Sequence, residues 1–154
     1  AIVGDTLADG SRANLNRVYK LSRGVYYPLS GTIQNVGFHL NICGEKGTAE
    51  TAPPVISVLL VGNSAPNRVF DAEGDITLKN VYVSGITQED SQVRDIIRQR
   101  SDSTNILVEN CVLEFQGSSV IFIIADIRII EFIKRILIIC FNLFKENSLS
   151  CKCQ

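Results

Sequence analysis

The stretch Asp75-Ile-Thr-Leu-Lys-Asn-Val-Tyr-Val-Ser-Gly85 alternates apolar and polar residues, reaches an Asn, and alternates again. It returns as Asn105-Ile-Leu-Val-Glu-Asn-Cys-Val-Leu-Glu-Phe115. Ile76 corresponds to Ile106, Leu78 to Val108, Asn80 to Asn110, Val81 to Cys111 and Val83 to Leu113, at a constant offset of 30 residues. A strand–Asn–strand unit used twice at a fixed period predicts repeats that stack. Stacking would lay Ile106 and Val108 on Ile76 and Leu78. Asn80 and Asn110 would share a corner, where Asn tolerates the left-handed conformation and its amide can bond the Asn of the next repeat. Val81, Val83, Cys111 and Leu113 would point inward from the following strand.

The rest of the chain up to residue 117 agrees with this reading. Residues 1–17 are rich in Gly, Asp, Asn and Ser and predict an irregular lead-in, with turns at Asp9-Gly10 and Asn14. Short runs of β-favouring residues follow at 18–21, 25–29, 32–36 and 38–43, each closed by a glycine-containing turn. Gly24, Gly31, Gly37, Gly44 and Gly85 are expected at turn positions with positive φ. Pro53 and Pro54 exclude a helix in the 44–54 loop. Val55–Val61 is a continuous apolar run, and Arg68–Asp71 is a further short strand. The polar segment 86–103 is the expected excursion from the repeat, with a strand at 93–98 or one or two helical turns within 88–100. Many short, even strands leave a sandwich, a barrel or a parallel solenoid. Hairpin turns between neighbouring strands are missing, since Asp9-Gly10 precedes the first strand, and this favours the solenoid.

Composition narrows the function classes. The chain has 154 residues, 45% apolar and 20% charged, which suits one globular domain or part of a larger one. Its 15 basic and 16 acidic residues offer no basic excess for nucleic acid. Trp is absent, so any sugar-stacking platform must use Tyr19, Tyr26, Tyr27 or Tyr82. Cys43, Cys111, Cys140, Cys151 and Cys153 are odd in number and irregularly spaced. A disulfide framework or a zinc site would need a different pattern, and His39 is the single histidine. The first three cysteines read as small apolar strand residues. No basic segment followed by an apolar run opens the chain, so the expectation is that numbering starts after a cleaved leader or that none existed.

Residues 4–117 resemble the N-terminal part of a right-handed parallel β-helix protein of the pectate-lyase-like group of secreted bacterial proteins. The resemblance rests on Gly4-Asp-Thr, Asn16-Arg-Val-Tyr-Lys-Leu21, Gly31-Thr-Ile-Gln-Asn-Val-Gly-Phe-His-Leu-Asn-Ile-Cys-Gly-Glu45, Pro54-Val-Ile56 and the two Asn-centred units. It implies an all-β, right-handed parallel β-helix and a secreted or cell-envelope location. Carbohydrate is the ligand it implies, with Ca²⁺ as a cofactor where the group acts on acidic sugars.

Residues 118–154 depart from this pattern. Ile and Phe dominate 120–144. Asp126–Ile133 can be laid on Asp75–Tyr82 as a further coil, with Glu131 at the corner Asn. Arg128, Glu131 and Arg135 would equally make one polar stripe on a capping helix. A truncated or mis-framed end is another reading of the same change in composition. Five charges between Asp126 and Arg135 argue against a membrane span.

Two clusters could carry chemistry. Strand alternation would put Asp71, Glu73 and Asp75 on one side, offering the hard oxygens that Ca²⁺ takes; the plainer reading is a solvated turn. Arg98 and Arg100 would share a strand face and could grip a uronate carboxylate by bidentate hydrogen bonds, against a plainer reading as a mixed-charge loop. In β-helix lyases a basic outer-wall residue also takes the proton α to that carboxylate, a role the resemblance implies for this pair. The primary expectation is a β-helix segment of a secreted carbohydrate-associated protein without a complete catalytic groove. A uronate-directed polysaccharide lyase using Ca²⁺, and a structural or adhesin-like solenoid, are the alternatives.

Overall fold

The computed structural model describes residues 2, 4, 5, 7, 12–48, 50–60, 62–87 and 89–114, and the backbone of 115, 119–123 and 137–140. The described residues form strands and no helix. In chain order these are β1 (Val18–Leu21), β2 (Tyr26–Leu29), β3 (Ile33–Gln34), β4 (Leu40–Gly44), β5 (Val55–Val58), β6 (Arg68–Ala72) and β7 (Ile76–Lys79). Then follow β8 (Tyr82–Ser84), β9 (Asp95–Gln99), β10 (Ile106–Glu109), β11 (Val112–Phe115), β12 (Ser119–Ile123) and β13 (Leu137–Cys140). The 93–98 segment is thus strand, and no helix within the described residues is long and apolar enough to cross a membrane. The tail readings built on Asp126–Arg135, the turn at Asp9-Gly10 and the pair Cys151 and Cys153 lie outside the described residues.

From β1 to β12 the strands sort into three sheets by taking every third one, and β13 joins the second sheet beside β11. The first sheet runs β1-β4-β7-β10, the second β2-β5-β8-β11-β13 and the third β3-β6-β9-β12. Every pairing within them is parallel. Each strand's backbone groups are therefore satisfied by its equivalent one turn of the chain away, as buried amides require. The arrangement is compatible with a parallel β-helix.

The two Asn-centred units stack in register. Ile76 lies beside Ile106 and Leu78 beside Val108 in the first sheet; Val83 lies beside Leu113 in the second. Ile76, Leu78, Val81, Val83, Val108, Cys111 and Leu113 are all buried, in one apolar cluster with Ile33, Phe70 and Ile97 of the third sheet. Asn80 and Asn110 take φ of 54° and 52°. Asn110 Nδ2 donates to Asn80 Oδ1 at 2.8 Å, and Asn80 Nδ2 donates to the Gly44 carbonyl at 3.3 Å. The corner therefore carries a ladder of amides over three turns of chain. At the corner before β4, buried Asn35 does related work, its Nδ2 donating to the carbonyls of Gly74 at 2.7 Å and Asp75 at 2.9 Å.

The glycines divide by purpose. Gly24 and Gly37 take positive φ, as expected. Gly31, Gly44 and Gly85 do not, which corrects the expectation for those three. At Gly44 the reason is proximity: a Cβ there would run into the Asn80 carbonyl oxygen and lie 2.6 Å from Pro54 Cγ. Gly85 leaves room for Ile96 and Val93.

Gly44→Ala is expected to destabilise the chain by more than about 2 kcal/mol, because the clash is with backbone that cannot rotate away. Asn80→Ala is expected to cost about 1–3 kcal/mol, from the left-handed strain and the lost amide bonds together. Asn80→Gly should cost less, keeping φ but not the ladder. Urea unfolding followed by circular dichroism checks all three.

Candidate functional site

Four of the charged residues singled out in the sequence, Asp71, Glu73, Arg98 and Arg100, converge on the third sheet at the β6–β9 pairing. Register places Arg68 beside Asp95 and Asp71 beside Arg98. Asp71 is 2% exposed and accepts two hydrogen bonds from one guanidinium, Arg98 Nε at 2.7 Å and Nη2 at 2.6 Å. Arg68 Nη1 stands 3.6 Å and Arg100 Nη1 3.8 Å from the same carboxylate. Arg100 Nη1 also reaches Glu73 Oε1 at 2.8 Å. Asp95, buried, lies 3.2 Å from Arg94 Nε and 3.8 Å from Arg68 Nε. Asp71 is thus the centre of a network of arginines drawn from two turns of the chain.

The electrostatics follow from this geometry. Burial raises the Asp71 pKa, but the Arg98 hydrogen bond and the charges of Arg98, Arg68 and Arg100 outweigh it and leave the carboxyl below its usual range. The Asp71 hydrogen bond raises the Arg98 pKa further. Burial, and then the neighbouring Arg98 charge, lower that of Arg68. A guanidinium so paired holds its proton, which works against Arg98 as a general base.

Arg98 lies in β9 and Arg100 just past its end, and both reach carboxylates of the same chain, Asp71 and Glu73. The acidic trio is split. β6 ends at Ala72, so strand alternation does not run on through Glu73 to Asp75. Asp71 and Glu73 face arginines, while Asp75 Oδ1 accepts the Asn105 backbone N–H at 2.8 Å and its Nδ2 at 3.1 Å. Among the described residues no group of three or more His, Cys, Asp or Glu side chains is placed to hold a metal ion. The trio therefore does not form the oxygen cage that calcium requires. The sequence drew attention to Asp95 as a neighbour of Arg98 and Arg100 but not to its pairing with Arg68; the signal was an acidic residue and an arginine on adjacent turns, without a fixed period to align them.

The tyrosines separate into two kinds. Tyr19 and Tyr27 pack against the core, and Tyr19 OH donates to Asp5 Oδ2 at 2.8 Å. Tyr26 and Tyr82 occupy the opposite face, since Tyr27 beside the one and Val81 and Val83 beside the other turn inward. Burial and a Glu114 hydrogen bond raise the Tyr82 pKa. His39 Nε2 lies 2.8 Å from Thr77 Oγ1, between buried Phe38 and Leu40. A groove of about 270 Å³ opens where the first sheet passes to the second, lined in part by Arg23, Thr48, Pro53, Asn80, Asn110 and Val112. Comparison with protein-family models, curated proteins and solved structures finds no match.

Asp71→Asn leaves Arg98 and Arg68 without their shared counter-charge and is expected to cost about 3–5 kcal/mol, as breaking a buried ion pair does. Because the folded carboxyl is held below its unfolded value of about 3.9, its stabilisation is complete above that pH and is lost as pH falls through the folded value. Denaturant midpoints between pH 2 and 6 should therefore drop with acid in the parent protein, with this component missing from Asp71→Asn.

Proposed function

We propose that the chain is a right-handed parallel β-helix segment of a secreted, carbohydrate-associated bacterial protein, one that binds glycan without cleaving it. The recurrence of every third strand from β1 to β12 in one parallel sheet supports the solenoid. A parallel strand that returns beside its predecessor after a crossover does so right-handed in nearly all known cases, which supports the hand. The resemblance of residues 4–117 to the pectate-lyase-like group supports the carbohydrate association and the secreted or envelope location.

The observation that carries the non-catalytic reading is the bidentate pair between Arg98 and buried Asp71. β-Elimination of a uronate needs a base already free of its own proton to take the α-proton, and a cationic grip on the substrate carboxylate as that proton leaves. Arg98 is committed to Asp71, and Arg100 to Glu73. The network instead ties adjacent turns of the chain, which is the use to which it is suited. Buried, mutually satisfied charges of this kind specify register at some cost in desolvation.

Incubation with pectate, alginate and neutral polysaccharides, with and without calcium, tests this. The expected result is binding on a glycan array and no growth of the ultraviolet absorbance of unsaturated uronates. Sustained product formation that Arg98→Ala abolishes would establish the lyase instead. A folded chain that binds no glycan would leave a structural or adhesin-like role.

A further inference from the structure

Tyr26, Val55, Tyr82 and Val112 stand in one register row across the second sheet. Each is the first residue of its strand, β2, β5, β8 and β11. Tyr26 is 40% exposed and the other three are half-buried. The row is thus a continuous apolar stripe on the outside of the sheet, crossing the strands rather than following one. Two strand spacings separate the tyrosines, about 9.5 Å, which matches one disaccharide unit of an extended β-1,4-linked glycan. Such a chain turns over at each sugar, so the same ring face recurs at every second residue. Rings placed at that interval can stack on successive equivalent faces, and the valines between can take the apolar C–H edges.

The groove lies alongside this row. Val112 and Val81 contribute to its wall, together with Asn80, exposed Asn110 and Thr48, whose amides and hydroxyl suit sugar hydroxyls. The charges nearby argue for an uncharged ligand. Glu114 lies two residues beyond Val112 and accepts from Ser84 Oγ at 2.8 Å, beside its bond with Tyr82. A carboxylate there repels a uronate. The Arg23 guanidinium, in the turn between β1 and β2, is turned to the carbonyls of Glu45, Thr48 and Thr51 in the loop between β4 and β5.

We propose that the outer face of the second sheet binds a neutral β-1,4-linked glycan chain, with Tyr26 and Tyr82 as paired stacking platforms and the Asn80–Asn110 groove beside them as the polar wall. This rests on the carbohydrate-binding reading above and adds to it the face, the platform residues and the class of sugar.

The test is affinity electrophoresis of the full chain through gels holding a soluble β-1,4-glucan, mannan or xylan, or else polygalacturonate or alginate. Titration with the matching hexasaccharides is read by tyrosine emission, which no Trp obscures. Retardation by a neutral glycan is expected, weakened at least tenfold by Tyr26→Ala and by Tyr82→Ala and retained in Tyr26→Phe, with unchanged far-ultraviolet circular dichroism. Exposed Tyr26 keeps the test decisive if Tyr82→Ala does not fold. Retardation by the acidic polymers alone overturns the neutral site while leaving the carbohydrate-binding reading standing. Neutral binding that neither alanine variant weakens does the same by placing the site elsewhere. Binding to no glycan overturns both.

Discussion

Parallel hydrogen bonding between each strand and its equivalent one turn later is the constraint on which the other features depend. It satisfies the backbone, and it forces side chains at equivalent positions to stack upon one another. Apolar residues then build an interior in layers. A polar residue at an equivalent position must be satisfied by its counterpart above or below, or by a corner carbonyl. Asn80 and Asn110 meet that demand with an amide ladder and with the one conformation that turns the chain at the corner. Gly44 meets it by having no side chain where the next turn's Asn80 carbonyl comes close.

The same constraint explains the charged network. Asp71 is buried within a sheet, where an isolated carboxylate would be severely disfavoured. In-register stacking brings Arg98 directly beside it and lets Arg68 and Arg100 reach in from the ends of β6 and β9. Stacking thus makes acceptable a charge that no single strand could carry. It also commits the side chains that looked most reactive in the sequence, Arg98 to Asp71 and Arg100 to Glu73.

Legibility in the sequence followed the regularity of the turns. From β7 and β8 to β10 and β11 the turn is 30 residues, as between Asn80 and Asn110, so the stacked pairs there could be read directly. Elsewhere the turn varies: 36 residues separate Leu40 from Ile76, and 27 separate Asp71 from Arg98. Loops between strands take up the difference, and loops lengthen at little energetic cost. Variable turns hide a pairing from any fixed period. Arg68–Asp95 and Asp71–Arg98 were invisible for that reason, although Asp71, Arg98 and Arg100 were each noticed separately. The glycine reading failed at Gly44 and Gly85 for a related cause: close approach by a distant segment leaves no local mark, whereas a positive φ is a local property.

By itself the sequence determined that the chain is built of short strands and that two of its units stack with Asn at the corner. Alternation, β-branching and the tolerance of Asn for left-handed backbone are properties of adjacent residues, so they can be read along the chain. Tertiary structure decided which charges meet, which tyrosines face out, and that Tyr26 and Tyr82 share a row across the second sheet. Those facts depend on how many residues each turn spends in its loops, a quantity that local chemistry leaves open and that only the parallel register of the three sheets settles.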